Sequence, residues 1–231
     1  MLIYSHRGES KFAPENTMSA FYLAYLLNSD GIECDIRKTK DNKIVIIHDK
    51  TIDRTSNAKG RVSDYTLYEL QEFNFGNKNY KDERIVTLDE FLKVFANKNI
   101  KIFIEVKENG YEEEIWKVLS KYNLNNITVI SFKYEILNKF RNISKIVKLG
   151  WLVYNINSKI IQDSLKINID ILICNSSALD KKDINDIKEN NLKICAWGVK
   201  NKAELKRLNK LHLDSLVYDS AYDAKKELKN V

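Results

Sequence analysis

The sequence has little of what builds disulfide scaffolds or interdomain linkers. It contains three cysteines, one proline and seven glycines in 231 residues. Cys34, Cys174 and Cys195 lie within apolar runs and lack the spacing of a zinc site, so we expect small core side chains in a reducing compartment. No stretch rich in proline, glycine or serine interrupts the chain. We therefore expect one domain over residues 1–231.

Long apolar runs are also absent. The first residues, MLIYSH, become polar too soon for a secretory signal. No run approaches the roughly 18 residues that a membrane-spanning helix requires. We expect no membrane span and a cytoplasmic location.

Charge of one sign is not concentrated anywhere. The 38 basic and 32 acidic residues are mixed along the chain, and the formal net charge is +6. Because no basic block is present, we expect no nucleic-acid partner. A phosphate-bearing substrate would still be attracted by this charge.

Short β-rich runs alternate about eight times with amphipathic helical stretches. The runs are LIYS, GIECDIRKT with KIVIIHD, IKIFIEVK, ITVISF, KIVKLGWLV, IDILICN, LKICAWGV and LDSLVYD. The helical stretches include ENTMSAFYLAYLLN, LDEFLKVFANK, YEEEIWKVLSKY, YEILNKFRN, KKDINDIKEN and KAELKRLNKL. The pattern indicates an α/β fold with buried parallel strands. A doubly wound sheet also fits it, but eight units in this length and no Gly-rich phosphate loop after the first strand favour a (β/α)8 TIM barrel.

A long polar stretch interrupts this alternation between KIVIIHD and the helix that starts near Leu88. It predicts a small insertion after the second strand, over about residues 50–85. We expect a short helix within it, around Leu67 to Phe73.

Polar side chains mark the ends of the first three predicted strands. They are His6 and Arg7 on the first strand, Glu33 and Asp35 on the second, His48 and Asp49 on its continuation KIVIIHD, and Glu105 and Lys107 on the third. The period-2 rule points Glu33 and Asp35 to one face. Because the carboxyl ends of barrel strands meet at one mouth, we expect these groups to lie together.

This set of side chains suits phosphodiester chemistry, although each residue alone could be structural. Burying Glu33, Asp35 and Glu105 together is costly unless a cation neutralises them, and three carboxylates without cysteine suit magnesium or calcium. Two histidines could transfer protons near neutral pH, while an arginine and a lysine could hold a phosphate.

Four other positions leave more than one interpretation open. Trp197 could form an apolar wall for substrate or be a core residue. Ser131 and Phe132 are weaker candidates of the same kind. Asp219 ends the last predicted strand and could serve the site or cap the following helix. The third histidine, His212, is expected to be structural.

The motifs taken together resemble the glycerophosphodiester phosphodiesterase family. They are HRG followed by PENT, the ExD of Glu33 and Asp35, HD leading into KTIDRTSNAKGRVSDYTLYEL, ERIVTLDEFL, and the EVK of Glu105 to Lys107. The resemblance covers nearly the whole chain and is strongest from His6 to Lys107. It departs from the family pattern at WGVK and at Tyr218–Asp219, which leaves the preferred headgroup open.

The resemblance implies a (β/α)8 barrel that hydrolyses deacylated phospholipids to glycerol 3-phosphate and an alcohol. The implied roles are acid–base catalysis for His6 and His48, binding of a divalent cation (Mg²⁺ or Ca²⁺) for Glu33, Asp35 and Glu105, and substrate contacts for Arg7, Lys107 and Trp197. The expected partner is a small glycerophosphodiester, and the sequence does not indicate an oligomeric state.

Three alternatives stay open. A lysophospholipase D or a phosphoinositide-type phospholipase C would use the same barrel, but the sequence has no conspicuous apolar surface motif for an acylated substrate. A catalytically silent module that binds anionic headgroups would fit a barrel that lost a histidine or a carboxylate, and none is missing. Nucleic-acid binding is suggested only by the mild basicity.

Overall fold

Eight parallel strands form a closed barrel in the computed structural model, which describes residues 1–229. Within that range the strands are β1 (Leu2–His6), β2 (Gly31–Lys38), β3 (Ile44–Ile46), β4 (Val86–Thr87), β5 (Lys101–Val106), β6 (Ile127–Ser131), β7 (Lys148–Val153), β8 (Ile171–Asn175), β9 (Lys193–Trp197) and β10 (Ser215–Tyr218). The first strand pairs in parallel with both β2 and β10 and so closes the sheet. The predicted TIM barrel is confirmed.

A helix follows each barrel strand and covers the sheet from outside. The helices are α1 (Met18–Leu26), α2 (Leu67–Gln71), α3 (Leu88–Phe95), α4 (Glu112–Leu119), α5 (Tyr134–Ile143), α6 (Ser158–Lys166), α7 (Lys181–Glu189), α8 (Lys202–Asn209) and α9 (Ala221–Lys229). The exception is α2, which lies in the segment between β3 and β4. Among the helices of residues 1–229, none is long and apolar enough to cross a bilayer.

We expected the segment KIVIIHD to continue the second barrel strand. The structure shows instead that it turns back and pairs with that strand. Residues 44–46 pair antiparallel with the end of β2, in the register Ile36 to Ile46. The reversal is a tight turn in which Asn42 takes a left-handed conformation (φ 61°) and donates its N–H to the carbonyl of Thr39 at 3.1 Å. Asparagine tolerates this conformation well. The turn brings residue 48 back toward the barrel mouth.

The segment between β3 and β4 builds a small core of its own. The buried apolar residues of this core are Val45 on β3 itself and, after it, Ile47, Ile52, Val62, Leu70, Phe75 and Ile85. The short helix predicted around Leu67 to Phe73 is α2, which begins with a capping box between Thr66 and Glu69. This core gives the residues that follow His48 a defined position beside the barrel.

The inside of the barrel is apolar below the mouth. Tyr4 and Phe103 stack at its centre, with ring centroids 3.9 Å apart. Gly31 leaves room for this stack, because a Cβ there would lie 2.3 Å from the Tyr4 ring. The three cysteines are free and buried, as predicted. An apolar floor of this kind lowers the local dielectric beneath any charged group at the mouth.

Carboxylates stabilise the opposite end of the barrel. Asp30, Asp170 and Asp214 precede β2, β8 and β10, and each accepts a hydrogen bond from a backbone N–H of a neighbouring strand at 2.9 Å. These bonds satisfy N–H groups at strand starts that would otherwise lack partners. Their role is therefore structural, in keeping with their place at the amino ends of the strands.

Candidate active site

The first strand ends in a left-handed turn that shapes one side of the mouth. Arg7 and Gly8 both have positive φ angles, of 59° and 80°. Gly8 is packed so closely on α1 that a Cβ would lie 2.6 Å from the carbonyl carbon of Ala20. The turn directs the Arg7 N–H to Oε2 of Glu33 at 3.0 Å. Glycine is required here by both conformation and space.

His6 is oriented by a carboxylate from the last strand. Its Nδ1 donates to Oδ1 of Asp219 at 2.8 Å, and its Nε2 lies 4.0 Å from Oε2 of Glu33. Burial disfavours the imidazolium, but the Asp219 hydrogen bond and the Glu33 charge outweigh it and raise the pKa of His6. Ser220, not Asp219, caps the following helix by accepting the Asp223 N–H at 3.0 Å.

His48 is held in the same manner by its neighbour in sequence. Its Nδ1 donates to Oδ1 of Asp49 at 2.6 Å. Arg54 in turn donates to both oxygens of Asp49, at 2.7 and 3.1 Å. Burial is the largest influence on His48, and its pKa is lowered. Both histidines therefore carry a proton on Nδ1, and neither Nε2 has a hydrogen bond among the residues that the structure describes.

Three buried carboxylates from β2 and β5 meet at the mouth. One oxygen from each of Glu33, Asp35 and Glu105 lies within 4.8 Å of the others. Lys107 Nζ lies 3.0 Å from Oδ1 of Asp35 and 2.7 Å from Oε1 of Glu105. Arg7 Nε lies 3.2 Å from Oδ2 of Asp35.

The pKa values of the three carboxylates shift in opposite directions. Burial and the charge of Asp35 raise the pKa of Glu33, and the same two causes raise the pKa of Glu105. Burial also disfavours the charged form of Asp35, but Lys107 and Arg7 outweigh it and lower its pKa to about 2. Burial and the crowding of like charges cause the two increases, and the cations beside Asp35 cause the decrease.

The carboxylate cluster fits a hard divalent cation. Oδ1 of Asp35 is buried and has the Lys107 ammonium as its charged neighbour at 3.0 Å, so a lone pair of this oxygen stays available for a ligand. Oxygens spaced within 4.8 Å can reach one ion, because calcium binds oxygen at about 2.3–2.6 Å. The set contains only oxygen donors, which suits magnesium or calcium better than zinc.

One cavity of about 510 Å³ joins these groups to an apolar wall. Its charged side is lined by His6, Arg7, Glu33, His48, Glu105 and Lys107. Phe132 and Trp197 line the opposite side, and their ring centroids are 5.2 Å apart. Trp197 donates its Nε1–H to the carbonyl of Val153 at 3.2 Å, so it offers the cavity an apolar surface. A further cavity of about 640 Å³ lies at the amino ends of the strands, away from these side chains.

The remaining sequence candidates lie elsewhere or act structurally. Ser131 is buried and donates to the carbonyl of Val106 at 2.8 Å, whereas its neighbour Phe132 reaches the cavity. His212 is exposed and occupies a left-handed turn (φ 53°) before β10.

Sequence reasoning missed several supporting residues. Glu15, Arg54 and Tyr154 were not singled out, and Asp49 was assigned no partner. Arg54 follows HD within KTIDRT, but only the fold shows that it reaches Glu15, 39 positions away. Tyr154 stacks on Phe132, with centroids 5.1 Å apart, and its sequence context YNIN carries no distinguishing pattern.

The fold and the groups at its mouth define a TIM-barrel hydrolase of phosphoric diesters. Comparison with known proteins narrows this class. Residues 6–222 match the model of the Glycerophosphoryl diester phosphodiesterase family, and the chain belongs to this family. It is therefore a phosphoric diester hydrolase of the glycerophosphodiester phosphodiesterase type, as the sequence motifs predicted.

Three relatives match over almost their whole length. The chain is similar to a glycerophosphodiester phosphodiesterase of Caldanaerobacter subterraneus subsp. tengcongensis, with 33% identity over 94% of this chain and 93% of that protein. It is similar in structure to an Oleispira antarctica phosphodiesterase in complex with the product sn-glycerol-3-phosphate (TM-score 0.92, 25% identity, 99% and 97% of the two chains). A Thermotoga maritima glycerophosphodiester phosphodiesterase shares the fold (TM-score 0.81, 24% identity, 98% and 97% covered).

Proposed function

We propose that this protein hydrolyses glycerophosphodiesters to glycerol 3-phosphate and an alcohol, by acid–base catalysis between His6 and His48 assisted by a carboxylate-bound divalent cation. The observation that carries the proposal is the convergence of two carboxylate-oriented histidines, three carboxylates and two cationic side chains in one cavity. Each histidine alone is a common structural feature. Their shared orientation, with Nε2 left free, is what hydrolysis of a phosphodiester needs.

The proton transfers follow from the hydrogen bonds of the two histidines. A neutral imidazole whose Nδ1 proton is held by a carboxylate has a free Nε2 lone pair and can accept a proton from the attacking hydroxyl. An imidazolium in the same pose can donate from Nε2 to the departing oxygen. Asp219 and Asp49 would stabilise the charge that forms on His6 and His48 in these two steps.

The carboxylates Glu33, Asp35 and Glu105 would hold magnesium or calcium. Such an ion would supply Lewis-acid stabilisation of the phosphoryl oxygens. Arg7 and Lys107 lie beside the same carboxylates and would contact the phosphate, so that positive charge surrounds the group on which negative charge develops.

The apolar side of the cavity would bind the carbon groups of the substrate. Trp197 and Phe132 offer ring surface, and the Trp197 N–H is already used by the backbone. The Oleispira antarctica relative, whose structure contains sn-glycerol-3-phosphate, supports the assignment of the product. The three free buried thiols support a reducing compartment such as the cytoplasm.

The direct test is release of glycerol 3-phosphate from glycerophosphocholine, glycerophosphoethanolamine and glycerophosphoinositol. We expect turnover of at least one of them and none of the matching lysophospholipids in micelles. Turnover of only the acylated lipids would replace the proposal with a lysophospholipase D. Calorimetric binding of the diesters without any turnover would indicate a headgroup-binding module.

A further inference from the structure

An unbroken series of charged contacts crosses the site through the segment between β3 and β4. Arg54 donates to the two oxygens of Glu15 at 2.6 and 2.9 Å and to the two oxygens of Asp49 at 2.7 and 3.1 Å. Glu15 also accepts from Nη1 of Arg7 at 2.7 Å, and Asp49 from Nδ1 of His48 at 2.6 Å. The guanidinium of Arg54 thus connects the phosphate side of the site to one of its histidines.

The geometry of these contacts is specific to arginine. A planar guanidinium can bind two carboxylates edge-on at once, which a lysine ammonium cannot reproduce. Hydrogen bonding to Arg54 is the largest cause that lowers the pKa of Asp49. The contacts therefore keep a carboxylate charged and fixed directly behind His48.

His48 depends on this support because its own surroundings are open. About a third of its side chain is exposed (33%), and it follows a strand of only three residues. Arg54 is not among the residues that line the active-site cavity, so we expect it to affect turnover through its partners. An unsupported Asp49 would turn into solvent and release the His48 ring.

We propose that Arg54 is a positioning residue that fixes His48 relative to Arg7 by holding Asp49 and Glu15 together. This inference rests on the proposed role of His48 in hydrolysis. It also gives the segment between β3 and β4 a function, since that segment presents Arg54 to the site.

The test compares Arg54→Gln and Arg54→Lys with Arg61→Gln, a change at an exposed arginine of the same segment. We expect Arg54→Gln to lower kcat by about 10–100-fold with KM little changed, the range seen when a supporting contact is removed. Arg54→Lys should restore part of the loss, and Arg61→Gln should behave as the wild type. A purely structural role would instead leave kcat of the folded protein unchanged, whatever the change in melting temperature.

Two further measurements test the proposal. The first separates it from an effect on folding, and the second does not depend on the turnover assay. Asp49→Asn combined with Arg54→Gln should be no slower than the worse single variant, because both changes act on one contact series. Nitrogen NMR of the imidazoles should report a single Nδ1-protonated tautomer for His48 in the wild type and a mixture in Arg54→Gln. Additive losses, or an unchanged tautomer, would overturn the proposal, and the NMR result stands even if no diester is hydrolysed.

A second inference comes from a different feature, the cation Lys200 at the far end of the cavity. Lys200 lines both the active-site cavity and an adjoining polar groove. Two acidic residues of the groove form ion pairs with other lysines. Glu227 pairs with Lys202 at 2.7 Å, and Asp223 pairs with Lys11. Lys200 therefore adds positive charge next to the apolar wall of the cavity.

Two other carboxylates at this end already have partners: Asp219 is bonded to His6, and Glu204 accepts from the backbone N–H of Lys200 and from the Ser176 hydroxyl. The aromatic rings of the wall attract a quaternary ammonium, but a cationic headgroup that reached the exposed Lys200 would also meet a like charge, whereas a polyol would gain a hydrogen-bond donor. We infer that Lys200 favours diesters with an uncharged polyol or anionic alcohol over those with choline. This inference also rests on the proposed hydrolysis.

The test is the ratio of kcat/KM for glycerophosphoinositol to that for glycerophosphocholine. We expect the wild type to favour the inositol diester. Lys200→Glu should lower the ratio by about 10-fold or more, so that the choline diester is favoured. Lys202→Asn should leave the ratio unchanged. An unchanged ratio in Lys200→Glu, with both diesters hydrolysed, overturns this inference alone. If neither diester is hydrolysed, calorimetric affinities for the two ligands decide it by the same comparison.

Discussion

Asp219 accepts a hydrogen bond from Nδ1 of His6 at 2.8 Å, although 213 positions separate the two residues in the chain. The contact exists because the first and last barrel strands are neighbours, with Ser5 opposite Tyr218. Closure of the barrel thus supplies the carboxylate that orients the first histidine. The bond also lowers the pKa of Asp219, so the carboxylate stays charged.

Asp219→Asn should lower kcat by about 10–100-fold, because an amide can present the wrong partner atom and leave the imidazole in the wrong tautomer. KM should change little, since Asp219 would act through His6. Steady-state kinetics check this, with Asp163→Asn on α6 as the control, because Asp163 is a carboxylate that pairs with Lys166 and lies outside the cavity. An unaltered kcat in Asp219→Asn would remove this residue from the account.

The three histidines form a matched series. His6→Asn and His48→Asn should each lower kcat by at least about 100-fold, the usual contribution of a positioned acid or base. His212→Asn should leave kcat unchanged, and asparagine tolerates the positive φ at that position. Circular dichroism melts would establish that all three variants are folded. Near-normal turnover by either of the first two would exclude that histidine from the mechanism.

The left-handed turn at Gly8 should be intolerant of any side chain. Gly8→Ala introduces both a strained φ, at about 1–2 kcal/mol, and an overlap with Ala20, at about 1–3 kcal/mol. Gly110→Ala is the control, because Gly110 also has a positive φ (99°) but no atom within 4 Å of its would-be Cβ. Thermal melts should therefore rank Gly8→Ala clearly below Gly110→Ala. Equal destabilisation would mean that crowding against α1 is unimportant.

The contacts of Arg54 should make stability depend on pH. Hydrogen bonding to Arg54 lowers the pKa of Asp49, and Arg54 and Arg7 lower that of Glu15 despite its burial. Carboxyls with depressed folded pKa values contribute stability above their unfolded values, near pH 4, and lose it as the pH falls. The melting temperature of the wild type should thus exceed that of Arg54→Gln at about pH 6, and the gap should narrow toward about pH 3. A gap that stays constant with pH would contradict this origin.

Much of the barrel and most of the site could be predicted because local patterns determine them. Alternation along β2 places Glu33 and Asp35 on the face opposite Ile32, Cys34 and Ile36, and the structure has those three apolar residues in the outer core. Helix α6 was not among the predicted helical stretches, and it buries only Ile161 and Ser164.

Contacts between distant segments could not be predicted in the same way. The position of His48 depends on the reversal of the chain at Asn42. The sequence predicts a continuing strand there. Arg54 reaches Glu15 only because the segment between β3 and β4 folds against the mouth. Ion pairs of this kind follow from tertiary placement and have no sequence period.

The carboxylate cluster should make hydrolysis depend on a divalent cation. The most direct measurement is glycerol 3-phosphate release from glycerophosphoethanolamine by chelator-stripped protein, with magnesium or calcium added back separately. We predict that stripping lowers the rate by at least about 100-fold and that one of the two ions restores it. Glu105→Gln should require a higher concentration of the same ion. Full turnover by the stripped protein in the presence of chelator would contradict the account.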